Sequence, residues 1–263
     1  MFAKKSLGQH FLRSEKALTS IRDAADPKGD DIILEIGPGE GVLTEILLGF
    51  AGKVVAVEKD DELYEFLKTH FEPAIEKGKL DLVHGDILDF DPEILRFYHD
   101  FTYKLVANIP YNITGAIFRK FLSATYQPQL MVVLVQKEVA ERVVARDGKE
   151  SILSISIKAY GIPKYIETVK AGSFSPPPKV DSAILSIENI SKAFFKNFSE
   201  EAFFQMLRAG FASKRKKLSS NLGVIYPKER VEAAFQALAL DTNTRAEDVN
   251  IETWGKLALE LCR

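Results

Sequence analysis

The chain alternates short apolar runs with amphipathic stretches through its first two-thirds, and this alternation constrains the fold more than any other feature. Apolar runs followed by segments of helical periodicity are typical of βαβ units, so we expect a parallel sheet covered by helices. The predicted strands are Ile32–Glu35, Lys53–Val57, Lys79–Val83, Tyr103–Ala107, Gln129–Val135, Lys164–Val169 and Ser182–Ile187, and the predicted helices are Glu40–Phe50, Asp60–Phe71, Thr114–Ser123 and Lys137–Ala145. Ser151–Tyr160 fits a strand or a buried helix, and we favour the helix.

The character of the chain changes after Ile190. Three helix-forming segments follow, Glu200–Ala212, Lys228–Ala239 and Ile251–Leu261, with no convincing strand among them. We therefore predict an α/β domain over residues 1–190 and a small all-helical domain over residues 191–263.

Composition excludes several classes of protein. The longest apolar runs, such as Leu130–Val135, are far shorter than the roughly 20 residues that span a bilayer, so we expect a cytoplasmic protein with no membrane partner. The single cysteine, Cys262, predicts neither a disulfide framework nor a metal site. The net charge is −2, yet residues 191–263 carry 12 lysines and arginines against nine acidic residues, so positive charge is concentrated at that end.

A glycine-rich turn follows the first predicted strand. Gly37, Gly39 and Gly41 have the spacing Gly-x-Gly-x-Gly, one residue tighter than the dinucleotide fingerprint. Glycines let the backbone approach a ligand closely. Glu35 places a carboxylate beside the turn, which disfavours a pyrophosphate and favours a cofactor that carries a sulfonium cation. A purely structural turn is the alternative interpretation.

Two more acidic residues follow strands that we expect at the same sheet edge. Glu58 comes directly after the second predicted strand, where a carboxylate can accept both hydroxyls of a ribose. Asp86 comes just after the third, where it can accept the amino group of a cofactor adenine. A solvated charge and an ordinary turn aspartate are the alternatives, but three such loops at one edge favour a binding site.

The tetrad Asn108-Ile109-Pro110-Tyr111 follows the fourth predicted strand. An exocyclic amine is a poor nucleophile because its lone pair is delocalised into the ring. Two acceptors, the Asn108 side-chain oxygen and a main-chain carbonyl held by Pro110, would localise that lone pair for attack on a methyl group. Tyr111 offers a face on which an unstacked base can lie. A turn with Tyr111 in the core is the alternative, and DNA adenine or protein glutamine methyltransferases would use a similar tetrad.

Six segments together resemble the KsgA family of small-subunit ribosomal RNA adenine dimethyltransferases. They are Lys4–Leu12, Glu35–Gly41, Val57–Asp60, Gly85–Asp86, Asn108–Asn112 and Phe174–Ser182. The resemblance implies a Rossmann-like class I methyltransferase sheet and S-adenosylmethionine as methyl donor. It also implies that the cofactor is contacted by His10, Leu12, Gly37, Glu58, Asp86 and Asn108, in addition to the close approach expected at Gly39.

The remaining site predictions concern the RNA. Phe174, with the prolines after it, is expected to clamp the target base from the side opposite Tyr111. The basic run Lys214-Arg215-Lys216-Lys217, together with Arg208, is expected to contact phosphates, and Lys4 and Lys5 to add a second basic contact. Two structural alternatives are a proline-rich turn and a solvated basic face.

The resemblance implies transfer of methyl groups to N6 of two adjacent adenosines in the 3′-terminal hairpin loop of 16S rRNA. The expected partner is the immature 30S subunit, and we expect a monomer. Bases in a loop are more easily unstacked than paired bases. One rival hypothesis is a large-subunit adenine methyltransferase of the antibiotic-resistance type. The others are a non-catalytic ribosome-assembly factor and, more remotely, a nicotinamide dehydrogenase.

Overall fold

A computed structural model describes residues 9–98 and 102–262. The chain divides into two compact units. The first comprises the chain up to residue 140 together with residues 162–190, and the second comprises residues 141–161 together with the chain from residue 191 onwards.

A seven-stranded sheet forms the centre of the first unit, in the order β4-β3-β2-β5-β6-β9-β7. Its strands are β2 (Ile32–Ile36), β3 (Lys53–Glu58), β4 (Leu80–His84), β5 (Tyr103–Asn108), β6 (Leu130–Gln136), β7 (Ile162–Val169) and β9 (Ser182–Glu188). Every residue of β2 is buried, as expected for a strand covered on both faces. A separate two-stranded antiparallel sheet pairs β1 (Phe11–Leu12) with β8 (Phe174–Ser175).

Helices connect these strands, and side chains at their first turns explain where several begin. Ser14 accepts a hydrogen bond from the Ala17 amide and caps the first helix, while Asp60 accepts from two amides at the start of the third. The α-helices before residue 150 are α1 (Glu15–Ala25), α2 (Val42–Leu48), α3 (Asp61–His70), α4 (Glu72–Glu76), α5 (Thr114–Ser123) and α6 (Lys137–Val144). Short 3-10 helices cover Pro92–Phe97, Tyr111–Ile113 and Ala171–Ser173.

The described part of the second unit contains helices and no strand. They are α7 (Ile152–Lys158), α8 (Glu200–Gly210), α9 (Leu218–Leu222), α10 (Lys228–Ala237) and α11 (Ile251–Leu261), with 3-10 turns at Ala193–Phe195 and Ala246–Asp248. Its core is built around the fully buried side chains of Phe203 and Trp254. Among the described helices of the whole chain, none combines the length and the apolar character that crossing a membrane requires.

The predicted strands and helices are confirmed, including the helical interpretation of Ser151–Tyr160, but two expectations differ from the structure. The sheet is mixed, since β9 runs antiparallel to both β6 and β7. The connection from β7 to β9 contains three prolines and no α-helix, so it lacks the helical crossover that parallel neighbours use. Residues 141–161 group with the helical unit, whereas the sequence placed them in the first domain, because Ile155 and Ala159 are buried in the helical core. The sequence did not predict helices α1, α4 and α9 or strands β1 and β8.

Candidate active site

The carboxyl ends of four neighbouring parallel strands, β4, β3, β2 and β5, meet at one edge of the sheet and form a cavity of about 230 Å³. Ligands of open α/β sheets bind at this edge. The cavity brings together nine of the residues predicted from sequence, namely His10, Leu12, Gly37, Gly39, Glu58, Asp86, Asn108, Pro110 and Tyr111.

The glycine turn between β2 and α2 forms one wall of the cavity. Gly39 has a φ of 61°, in the left-handed region that side chains disfavour. A Cβ atom built there would lie 3.1 Å from the ring of Phe11, which also lines the cavity. The turn therefore needs glycine both for its backbone conformation and for the close packing of the N-terminal segment.

Glu58 is buried at the end of β3 and is held by the backbone. Its Oε2 accepts a hydrogen bond from the Gly39 amide at 3.1 Å, and its Oε1 accepts from the Asp60 amide at 2.8 Å. Burial raises the pKa of Glu58, although these backbone hydrogen bonds oppose the rise. Each carboxylate oxygen can accept further hydrogen bonds, so a rigid acceptor for hydroxyl groups stands at this edge.

Glu35, the fourth residue of β2, is a second carboxyl at the cavity and only 1% exposed. The Thr44 hydroxyl donates a hydrogen bond to its Oε2 at 2.7 Å. Burial raises the pKa of Glu35 to about 8, with a further contribution from the charge of Glu58. The sequence placed this carboxylate beside the turn but did not indicate its complete burial or its partner Thr44. A pKa near 8 leaves Glu35 uncharged at neutral pH, so this carboxyl by itself gives the predicted sulfonium cofactor no counter-charge.

Asp86 lies two residues beyond β4, and both of its oxygens have partners. Lys59 Nζ lies 2.7 Å from Oδ2, and the Leu88 amide donates to Oδ1 at 2.9 Å. The Lys59 ammonium and, next, the Leu88 amide lower the pKa of Asp86, so it is a carboxylate at neutral pH. Lys59 also lines the cavity. The sequence did not indicate a role for Lys59, because this lysine is one of several consecutive charged residues.

Asn108 ends β5 at the cavity, and its amide group is oriented by the N-terminal segment. Asn108 Nδ2 donates a hydrogen bond to the main-chain oxygen of His10 at 3.0 Å. A carbonyl oxygen accepts only from N–H or O–H groups, so this contact fixes which end of the amide is nitrogen. The side-chain oxygen is therefore directed away from His10 and is the acceptor that the amide can offer to a bound amine.

Tyr111 begins the 3-10 turn after Pro110 and is half-buried. Its hydroxyl lies 2.6 Å from the hydroxyl oxygen of Ser182. The ring of His10 is nearly parallel to that of Tyr111, with centroids 6.0 Å apart, and its Nδ1 donates to the Pro176 oxygen at 2.8 Å. Burial raises the pKa of Tyr111, so the phenol is neutral and the ring is the surface that it can present.

The structure does not bring Phe174 to the cavity. Its side chain is 4% exposed and belongs to the apolar core of the first unit. It lies opposite Leu12 in the small β1–β8 sheet. A proline-rich segment follows Phe174, but the local sequence does not indicate whether the ring faces the cavity or the core. A clamping role for Phe174 stays a prediction.

The basic run Lys214–Lys217 is exposed between α8 and α9 in the second unit, and Arg208 is exposed on α8. None of these cations forms an ion pair with an acidic residue in the described part of the chain. Asn221, which sequence reasoning missed, donates from Nδ2 to the oxygens of Gly210 and Ser213 and so fixes the start of this loop. Lys4 and Lys5 lie outside the described residues.

Comparison with known proteins identifies the family. The family profile described as "Ribosomal RNA adenine dimethylase" matches residues 2–262. A protein of Dehalococcoides mccartyi named "Ribosomal RNA small subunit methyltransferase A" is 45% identical over 262 residues, which is 98% of this chain and 88% of the relative.

Two solved structures have a similar fold at 28% identity. A dimethyladenosine transferase from Plasmodium falciparum has a TM-score of 0.81, with 95% of this chain and 97% of that chain covered. The 23S rRNA methyltransferase ErmE has a TM-score of 0.76, with 96% and 100% covered. The predicted Rossmann-like class I methyltransferase fold is thereby confirmed, and the chain belongs to the ribosomal RNA adenine dimethylase family.

Proposed function

We propose that this enzyme transfers methyl groups from S-adenosylmethionine to N6 of two adjacent adenosines in the 3′-terminal hairpin loop of 16S rRNA, within the immature small subunit. The observation that carries the proposal is the orientation of Asn108. Its side-chain oxygen is left as an acceptor beside a cavity that holds two buried carboxyls. Acceptors that polarise an amine suit methylation of an exocyclic nitrogen better than proton abstraction or hydride transfer.

Two acceptors on one amine would make its nitrogen more nucleophilic. The first is the Asn108 oxygen. We assign the second to the carbonyl of Ile109, because the Pro110 oxygen already accepts from the Ile113 amide at 3.2 Å. Pro110 follows the Ile109 carbonyl directly, and its ring restricts the backbone on that side of the acceptor. Tyr111 would support the base by stacking, a contact worth roughly 1–3 kcal/mol for each base.

S-adenosylmethionine supplies an electrophilic methyl group on a sulfonium when it is bound. We assign its ribose hydroxyls to Glu58, its adenine amino group to Asp86, and its methionine part to the glycine turn, His10 and Leu12. The backbone hydrogen bonds to Glu58 keep that carboxylate in place before the ligand arrives. Glu35, buried behind the turn, is uncharged at neutral pH and would favour a cation only if binding of the cation ionised it.

The choice of RNA rests on the second unit and on the names of the relatives. The exposed cations of Lys214–Lys217 and Arg208 supply a surface for phosphates without sequence specificity. We propose that residues 191–263 form an RNA-binding domain, that Lys4 and Lys5 add contacts, and that the protein works as a monomer in the cytoplasm. Curated relatives from Dehalococcoides mccartyi and Nostoc are named as small-subunit methyltransferases.

A large-subunit substrate is the second candidate, because the 23S rRNA methyltransferase ErmE has a similar structure over 96% of this chain. The test incubates the enzyme and S-adenosylmethionine separately with small and large ribosomal subunits that lack adenine methylation. The nucleosides are then analysed by mass spectrometry. We expect dimethyladenosine only from the small subunit. Dimethyladenosine from the large subunit alone would show that the proposed substrate is wrong.

Asn108→Ala separates an enzyme from an assembly factor without activity. Loss of the oriented acceptor should lower the rate of methyl transfer by about 100-fold or more, by analogy with removing one preorganised hydrogen-bonding group from an active site. Asn189→Gly, which removes an exposed asparagine side chain just beyond β9 at a positive φ that suits glycine and away from the cavity, is the matched control and should be fully active. Equal rates for the two variants would contradict the assigned chemistry.

A further inference from the structure

The hydroxyl of Tyr111 is bonded to the protein scaffold at Ser182. The two oxygens lie 2.6 Å apart, and either hydroxyl can donate. Ser182 is fully buried at the first position of β9. A hydroxyl that is already paired with a buried serine has limited capacity left for substrate. The hydrogen bond therefore indicates that Tyr111 contacts its ligand through the ring.

Ser182 is fixed by strands on both sides. It lies opposite Gln136 of β6 and Val169 of β7 in the two antiparallel ladders. The preceding residue is fixed as well, because the Asp181 main-chain oxygen accepts from the Lys137 amide at 3.0 Å and the Asp181 side chain accepts from the Ala171 amide at 3.0 Å. Moving the Ser182 hydroxyl would require the sheet itself to shift, so it is a rigid anchor.

Tyr111 needs such an anchor because its own surroundings are short turns. It lies in a 3-10 helix of only three residues, Tyr111–Ile113, and its main-chain oxygen accepts a 3.2 Å hydrogen bond from the Thr114 hydroxyl. The hydroxyl oxygen of a tyrosine lies on the axis of the second side-chain torsion, so a hydrogen bond there fixes the far end of the ring through the first torsion. A phenol hydroxyl prefers the plane of its ring, so the direction of Ser182 from this oxygen also favours one ring plane.

We propose that Ser182 is a positioning residue for methyl transfer, which holds the ring of Tyr111 in the plane that the target adenine needs for stacking. The inference rests on the proposed function, in which Tyr111 supports the base. Ser182 acts through Tyr111 and does not touch the substrate. Its loss should impair use of the RNA and leave cofactor binding unchanged.

A double-mutant cycle tests this coupling. Ser182→Ala and Tyr111→Phe each remove one hydroxyl of the pair, and each should lower kcat/KM for small subunits that lack the methylation by roughly 2- to 10-fold, the range expected for one hydrogen bond. The double variant should be no worse than either single variant, because the bond is already broken. Ser186→Ala, a buried serine on the same strand, is the matched control and should retain the wild-type rate.

Two further measurements distinguish positioning from a general structural defect. The affinity for S-adenosylmethionine, measured by calorimetry, should match wild type in the two single variants, the double variant and Ser186→Ala. In an RNA whose target adenine is replaced by 2-aminopurine, stacking on the aromatic ring quenches fluorescence, and this quenching should weaken in Ser182→Ala and Tyr111→Phe. Multiplicative effects of the two substitutions, or equal losses in Ser186→Ala, would overturn the proposal.

Tyr111→Ala separates failure of this inference from failure of the proposed function. If Tyr111→Ala is as active as wild type, stacking on Tyr111 is itself wrong. If Tyr111→Ala loses activity while Ser182→Ala and Tyr111→Phe keep it, the ring is needed but its anchor is not. Only the positioning role of Ser182 is then refuted.

Discussion

Replacing Glu35 by glutamine should make the folded protein more stable at high pH and change its stability little near pH 5. Glu35 is fully enclosed, and its only described hydrogen bond comes from the Thr44 hydroxyl. Glutamine keeps the shape of the side chain and an oxygen that can accept from Thr44, but it cannot ionise. The substitution therefore isolates the free energy of holding a buried carboxyl at each pH.

The sign and size of the effect follow from the pKa. Burial raises the pKa of Glu35 from its ordinary value of 4.5 to about 8. Between these two values the folded protein retains a proton that the unfolded chain has released, so stability falls as the pH rises through this interval. The loss is complete above pH 8 and corresponds to roughly 5 kcal/mol as an upper limit, because relaxation and entering water reduce the cost of a buried charge.

Urea unfolding at pH 5 and pH 9, followed by circular dichroism, measures this difference. Tryptophan fluorescence would report on the second unit, because the single tryptophan, Trp254, lies there. Hydrogen exchange of peptides from β2 is therefore the better local probe of the surroundings of Glu35. We expect Glu35→Gln to be more stable than wild type by several kcal/mol at pH 9 and nearly equal at pH 5. Thr44→Val removes the hydroxyl that favours the ionised form of Glu35. In this variant the loss of stability with rising pH should extend to a higher pH than in wild type. A wild-type-to-variant difference that is the same at both pH values would refute the reasoning.

Three other predictions follow from packing. Gly41→Ala should lower the midpoint of thermal unfolding, because Gly41 has a φ of 81° and a Cβ there would lie 2.5 Å from the Phe71 ring; Gly115→Ala, with nothing within 4 Å, should not. Phe174→Ala should lower the free energy of unfolding by about 3–5 kcal/mol in urea titrations. Phe174→Leu should remain active if the ring serves only the core, whereas a stable but inactive Phe174→Leu protein would support the clamping role. Asn221→Ala removes no charge but removes the hydrogen bonds that hold the loop carrying Lys214–Lys217. It should therefore weaken RNA binding at 50 mM salt, measured by fluorescence anisotropy, and unchanged affinity would show that this loop does not have to be held in place.

The candidate site was largely predictable because it depends on chain connectivity. The glycine turn, Glu58, Asp86 and Asn108 each lie at or just beyond the carboxyl end of a parallel strand, and parallel strands place these ends at one edge of the sheet. No side-chain packing had to be known for that step. The residue types then indicated the ligand chemistry.

What could not be predicted depends on which residues are neighbours across long stretches of chain. The burial of Phe174 comes from its pairing with Leu12, about 160 positions earlier, and no local pattern encodes it. The Tyr111–Ser182 bond and the contact between Asn108 and His10 also join residues far apart in sequence, by 71 and 98 positions. Helix α1 is a different case, because its cap Ser14 and the acidic Glu15 were readable start signals.

The hydrogen bond from Asn108 to the His10 oxygen has a consequence for handling the enzyme. The segment Gln9–Arg13 contributes to the cavity, pairs with β8 and joins Glu40 through Arg13, yet it supplies no strand to the seven-stranded sheet. The folded structure and the enzymatic activity can therefore be lost separately. A preparation clipped by a protease just before Ser14 should keep the seven-stranded sheet and most of its circular dichroism spectrum, lose the stability that buried Leu12 contributes, and be inactive. Intact mass is thus the quality measure that matters for this protein.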